Sequence, residues 1–268
     1  MYKTLHQVLK SLKSGTNDET NGRHIIPEQA VRASGTIAGP RILDVGAGRG
    51  ADLAKIVLNL ERTGTIPELF AVESFPISIE VLGRLGVTVA SIDIEHAVLP
   101  FDSDFFDVVI CNQVLEHTKE IFWVISEIAR VMKRGGSLIL GVPNLGSLHN
   151  RIALLTGHQP PAIAVFGPHV RGFAIPDLRD FLETGGILKV KKVLGGNFYP
   201  FPPKVSRPLS WLLPSLAVSS FYVAERVGDG NFLAIFDTDQ ASVLVDTPYF
   251  RGGSLPTHSS LPNHAEVA

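Results

Sequence analysis

The chain has 268 residues, 45% hydrophobic and 19% charged, which suffices for one large α/β domain with additions or for two small ones. Lysine and arginine total 24 against 26 acids, a formal net charge of −2 with no basic stripe, which argues against nucleic acid as a partner. The single cysteine, Cys111, rules out an intrachain disulfide and a cysteine-based metal site, and fits a cytoplasmic protein.

In chain order, residues 1–38 read as an N-terminal helical appendage. Leu5, Val8, Leu9 and Leu12 recur at helical spacing, Ser14–Arg23 is a polar loop, and a short helix is expected over Pro27–Ala33. The opening residues lack the long apolar run of a secretory signal.

From Arg41 onward, short apolar runs alternate with helical segments. Strands are expected at Ile42–Val45, Leu69–Val72, Val87–Ile92, Asp107–Cys111 and Ser137–Val142. Helices are expected at Ala51–Arg62, Ser78–Leu85 and Lys119–Met132, the last with Thr118 as N-cap. Near-continuous apolar strands alternating with helices predict a mostly parallel, Rossmann-like α/β sheet with helices on both faces. Asp177–Thr184 reads as a further helix, and Ile187–Leu194 with Phe221–Arg226 as an antiparallel edge hairpin.

The main α/β domain is expected to span residues 39–226. Within it, 144–176 holds Pro160, Pro161, Pro168, Pro176, His149, His158 and His169, and reads as a substrate lid. Trp211–Ala224 is the most apolar late stretch, but Pro214 and its serines make it too interrupted to span a bilayer. It reads as a core segment, with an apolar surface for a lipid-like substrate as the alternative. Residues 227–268 form a C-terminal extension with short strands at Phe232–Phe236 and Ser242–Val245 and a disordered polar tail over Gly252–Ala268.

Ligands on such sheets bind at the carboxyl ends of the strands. There the sequence places Asp44-Val-Gly46-Ala47-Gly48-Arg-Gly50, whose glycines allow a sharp turn and close approach of a ligand. The run Gly46–Ala51 also fits the dinucleotide fingerprint, so electrostatics must decide. A pyrophosphate at the helix N-terminus would meet an unwelcome carboxylate in Asp44, whereas a ligand bearing an ammonium and a sulfonium would be favoured by it. Glu73 ends the second strand, where an acid can hold both hydroxyls of a ribose in either cofactor. Asp93 ends the third, either as an acceptor for an adenine amine or as a solvated turn acid.

These pieces, with Leu99-Pro-Phe-Asp-Ser-Asp-Phe-Phe-Asp-Val-Val-Ile-Cys-Asn-Gln-Val-Leu-Glu-His117, Arg130-Val-Met-Lys-Arg-Gly-Gly136 and Gly141-Val-Pro-Asn144, resemble the class I S-adenosylmethionine-dependent methyltransferases of the type 11 small-molecule group. The resemblance covers roughly residues 40–145. It implies S-adenosylmethionine as cofactor, with Asp44, Gly46, Ala47 and Gly48 on its methionine side. Glu73 and Ser74 would lie at the ribose, Asp93 and Ile94 at the adenine, and Asn112 and Gln113 beneath the sulfonium. Segment Asn144–Thr156 is similar to methyltransferases encoded with polysaccharide or glycolipid genes. The chain after Arg226 matches nothing in the family pattern.

Methyl transfer to a hydroxyl needs a base, and histidine titrates near working pH. His117, just after the fourth strand, is the first candidate; capping the next helix or orienting Glu116 is its alternative role. His169, in the lid, is the second. His149 and His158 rank lower. No histidine pair has helical i, i+4 spacing with a carboxylate, so no metal site is expected. Cys111 reads as packing. The expected acceptor is a small or carrier-linked molecule. The competing functions are an NAD-dependent oxidoreductase and a noncatalytic binding module on the same fold.

Overall fold

The structure, a computed structural model, describes residues 24–230 and 232–237. The helix expected around Leu5–Leu12, the loop Ser14–Arg23, the strand Ser242–Val245 and the tail Gly252–Ala268 lie outside the described residues.

Strands form on short apolar runs: β1 Arg41–Val45, β2 Glu68–Val72, β3 Thr88–Ala90, β4 Phe106–Asn112 and β5 Met132–Pro143. Two later strands, β6 Leu188–Gly196 and β7 Ser219–Arg226, complete a seven-stranded sheet of order β3-β2-β1-β4-β5-β7-β6. β1–β5 pair in parallel, and β7 inserts antiparallel between β5 and β6. Order reverses between β1 and β4, so the cleft over their carboxyl ends is the binding position that the topology dictates.

Side-chain alternation along the strands feeds two cores. Leu43, Val45, Val109 and Cys111 join one face with helices α4 Ile121–Val131 and α6 Ile175–Glu183. Ile42, Val108 and Ile110 join the other with α1 Ile25–Ser34, α2 Ala51–Glu61 and α3 Pro76–Arg84. α1 is part of this second core, because Ile26 and Ala30 are fully buried against the sheet. On the first face, Phe70, Phe101, Phe105 and Phe106 pack edge to face with centroids 5.0–5.8 Å apart. Arg130 ties the crossing Leu99–Phe101 to α4 by donating to the Leu99 and Phe101 carbonyls while pairing with Glu127.

The structure corrects several expectations. α4 begins at Ile121, and Thr118 does not cap it: its hydroxyl donates back to Leu115 O. Glu95, from the loop after β3, instead accepts the N–H groups of Lys119 and Glu120. A tertiary partner thus replaces the local cap. Phe232–Asp237 is a 3-10 turn rather than a strand, because Phe232 and Leu233 are buried in the first core and Phe232 stacks on Phe181 at 5.4 Å.

Segment 144–176 contains a helix, α5 Leu148–Leu155, that its loop-like composition concealed. The first part of Trp211–Ala224 is not core: Trp211, Leu212 and Leu213 are exposed around the end of helix α7, Pro203–Leu212.

If α1 is integral to the sheet, Ile26→Ala should lower unfolding free energy by about 2–5 kcal/mol. Chemical denaturation checks this, and a change under about 0.5 kcal/mol, as at a surface position, would contradict it.

Candidate active site

The turn after β1 is built on left-handed glycines. Gly46, Gly48 and Gly50 have φ of 73°, 52° and 76°, a region that other residues enter only at a cost. A Cβ on Gly46 would collide with Val114, and one on Gly50 would come within 2.8 Å of Leu82. Gly48 differs, since a Cβ there meets nothing within 4 Å. Its open side faces a trough of about 670 Å³ that Gly46, Gly48, Glu73, Ser74, Asp93, Ile94, Gln113 and His117 help to line.

Three acids converge at this turn. Asp44 is buried, and burial pushes its carboxyl well above the usual carboxylate range, with the charges of Asp52 and Glu73 adding to the rise. Glu73 is also buried and is pinned by backbone donors: Gly48 N at 2.7 Å to one oxygen, Ser74 N and Phe75 N at 2.8 and 2.9 Å to the other. Asp52, in the first turn of α2, accepts from Asn112 Nδ2 at 2.8 Å. Arg49, the cation within the turn, is exposed.

This arrangement repels a pyrophosphate and favours a cation. The amides of Gly48, Ser74 and Phe75 are already bonded to Glu73 and so are not free to bind an anion.

The structure brings most of the expected residues together. Asn112 ends β4 with its Oδ1 buried and unpartnered, against the backbone of Gly141, where a Cβ would strike that oxygen. Gln113 follows in a left-handed conformation (φ 57°), its N–H held by Gly141 O at 2.8 Å. It borders both the trough and a second cavity of about 220 Å³, which Asn112, Pro143, Asn197 and Phe221 also line. Ala47 lies on the turn, its N–H 3.3 Å from Val72 O. Asp93 lines the trough, yet its oxygens accept from Glu95 N and face His96 Nδ1, both at 2.9 Å. The His96 hydrogen bond lowers its pKa, so Asp93 demonstrably organises its own turn.

His117, which also lines the trough, meets His169 edge to face with ring centroids 4.8 Å apart. Their Nδ1 atoms lie 3.2 Å from Pro168 O and 2.8 Å from Ala162 O. Carbonyls only accept, so each ring donates there and keeps Nε2 as its acceptor nitrogen. Behind them sits Glu116, which is 1% exposed with neither carboxylate oxygen hydrogen-bonded. Burial raises its pKa to about 7, and one oxygen lies 4.0 Å from His117 Nε2. Glu116 O also accepts Val170 N and Arg171 N, tying the 144–176 segment to this wall.

Ligating atoms of Glu116, His117 and His169 all lie within 4.8 Å of one another. The helical-spacing argument against a metal does not reach this cluster, which tertiary contact creates between residues 52 positions apart. His149 and His158 are elsewhere, beside Ser147 and Thr156. Cys111 is buried, and its thiol is pushed far up by desolvation.

Sequence reasoning missed Asp52, Glu95 and the full role of Glu116. Asp52 had a detectable signal, an acid in the first turn of the helix after the glycine turn. Glu95 and Glu116 act through contacts that no local pattern encodes.

An Asp44→Asn variant tests the electrostatics of the turn. A carboxyl whose folded pKa is raised loses stability as pH climbs from its unfolded value through the folded one. The neutral amide should therefore raise the melting temperature at neutral pH. It should also weaken binding of a cationic ligand by about tenfold or more. A lower melting temperature, measured by calorimetry, would show instead that Asp44 is a stabilising anchor.

Comparison with known proteins agrees with this geometry. Residues 43–140 match the family described as "Methyltransferase domain". A probable S-adenosylmethionine-dependent methyltransferase of Mycolicibacterium smegmatis is 28% identical over 182 residues, 65% of this chain and 60% of the relative. The mitochondrial ubiquinone biosynthesis O-methyltransferase of Mus musculus is 26% identical over 170 residues, 62% of this chain and 45% of that one. The chain thus spans about half the length of the curated relatives it matches. Among solved structures, an S-adenosylmethionine-dependent methyltransferase from Aquifex aeolicus superposes with a TM-score of 0.52 at 15% identity, covering 83% of this chain and 98% of its own. The cyclase SpnF does so at 0.53 and 17%, covering 76% and 81%. Residues 43–140 therefore match a methyltransferase domain family, and the sheet that they begin has the fold of solved S-adenosylmethionine-dependent methyltransferases.

Proposed function

We propose that this chain binds S-adenosylmethionine in the trough over β1, β2 and β4 and methylates a hydroxyl oxygen of a small or carrier-linked molecule, a saccharide or glycolipid among them. The convergence of Asp44, Asp52 and Glu73 at the glycine turn carries the reading, because it selects a cationic, phosphate-free cofactor over a dinucleotide. The residues present fit that ligand. Gly48 leaves open space at the turn, Glu73 is held beside it by the Gly48 amide, and the buried Asn112 Oδ1 has no hydrogen-bond partner of its own.

Bound S-adenosylmethionine supplies an electrophilic methyl group, and in-line attack needs chiefly orientation and exclusion of water. Asp44 and Asn112 would hold the methionine end, Glu73 and Ser74 the ribose, Asp93 and Ile94 the adenine. Gln113, between the trough and the smaller cavity, would set the boundary between donor and acceptor. His117 Nε2 would take the hydroxyl proton, and ionised Glu116 would stabilise the resulting imidazolium at 4.0 Å. His169, with its Nδ1 anchored, would complete the wall against the acceptor as the 144–176 segment covers it.

Oxygen as the methylated atom rests on this histidine wall and on the mouse relative, an O-methyltransferase by name. SpnF shows that such a fold also serves other chemistry, so cofactor binding must be tested directly.

Calorimetric titration should show micromolar binding of S-adenosylmethionine and S-adenosylhomocysteine and none of NAD. Binding of NAD alone would sink the proposal, and silence with all three would favour a noncatalytic module. Once an acceptor is found, kcat/KM should rise with pH through about 7 as Glu116 ionises. Glu116→Gln should remove that limb and slow transfer by about 10²-fold or more. An unchanged profile in the variant would assign the base elsewhere.

A further inference from the structure

Two excursions leave the same edge of the sheet as the trough. One follows the carboxyl end of β5 and contains α5; the other follows β6 and contains α7. They touch: Asn144 donates its side-chain amide to Ser215 O and Ala217 O at 3.0 and 2.8 Å, and the rings of His149 and Tyr199 lie 5.9 Å apart.

Their surface is unlike the rest of the protein in two independent respects. Twelve of the sixteen large apolar side chains exposed among the described residues are here, Leu155 at 86%, Phe166 fully and Trp211 at 70% among them. Leu212 and Leu213 adjoin Trp211. Acids make up 26 of the chain's 268 residues, yet none occurs from Asn144 to Pro176 or from Gly195 to Ala224. The charges in these two stretches are cations only: Arg151, Arg171, Lys204 and Arg207.

Apolar and aromatic side chains interleaved with lysine and arginine, with acids excluded, match a bilayer interface with anionic headgroups. Tryptophan and tyrosine favour the headgroup level, leucine and phenylalanine the acyl boundary, and the cations the phosphates. A protein partner would accept acids at such a rim, whereas an anionic membrane penalises every one.

We propose that these two excursions dock the protein on an anionic lipid bilayer. Docking sets the mouth of the trough against the membrane, so the acceptor is an amphiphile that stays in the bilayer while its hydroxyl reaches His117 and His169. The docking argument stands on the surface alone; the acceptor clause rests on the methyltransferase reading above. No helix among the described residues is long and apolar enough to cross a membrane, so attachment is peripheral.

The two tryptophans supply the test. Trp123 is buried with its Nε1 donating to Ala97 O, so Trp211 is the one that reports on the surface. The full chain should sediment with vesicles of equimolar phosphatidylcholine and phosphatidylglycerol, and far less with phosphatidylcholine alone. Its emission should shift to the blue on binding and be quenched by brominated lipid. Trp211→Phe should keep binding but lose the shift. Combined Lys204→Glu and Arg207→Glu, or Leu155→Asp with Leu212→Asp, should weaken binding by about tenfold or more. Circular dichroism and thermal melts of the same variants verify that they fold.

Three results would overturn the proposal: no sedimentation with anionic vesicles, Trp211 already blue-shifted and shielded in the free monomer because residues 1–23 or 238–268 cover it, or a dimer that buries it. Cofactor binding without vesicle binding refutes docking alone; vesicle binding without cofactor binding refutes the functional reading alone.

Discussion

A carboxyl buried where it cannot easily ionise is the constraint on which the site depends. Asp44 lies at the end of a central strand, where burial first, and then the charges of Asp52 and Glu73, raise the energy of its ionised form. The fold tolerates this because the sheet around β1 is buried on both faces and over-determines the backbone there. The cost becomes selectivity: a cation entering the trough relieves the repulsion, and a phosphate aggravates it. Glu73 reinforces the choice by occupying the turn's amides, the groups with which a dinucleotide fold would greet a pyrophosphate.

The second half of the site is held differently. His117 follows β4 and His169 arrives from the excursion after β5, so their 4.8 Å approach depends on tertiary contacts rather than on one rigid element. Backbone carbonyls fix both rings at Nδ1, and Glu116 is buried behind them without a hydrogen-bond partner. The segment that brings His169 also carries, with the excursion after β6, most of the large apolar side chains exposed among the described residues.

The sheet was legible because its central strands are short apolar runs between turn-forming or polar residues. Asp44, Glu73 and Asn112 were legible for a related reason, since the carboxyl end of a strand is a position that can be counted from the sequence. What local pattern could not show was contact between distant segments. Glu95 caps α4 from another loop, Asp52 reaches Asn112 across 60 positions, and Glu116 gains its raised pKa only from burial. Phe232 looked like a strand residue because a buried 3-10 turn and a strand share the same apolar composition. Trp211 looked like core because composition alone does not distinguish an apolar face turned inward from one turned outward.

The most direct measurement is the proton balance of S-adenosylmethionine binding, obtained by calorimetry at mildly acid pH in buffers of different ionisation enthalpy. If Asp44 is held protonated by burial and ionises against the incoming cation, binding releases a proton and tightens as pH rises, and Asp44→Asn abolishes both effects. Binding that releases no proton and is indifferent to pH in the wild-type chain would contradict the account, because Asp44 would then not be the group that recognises the cofactor.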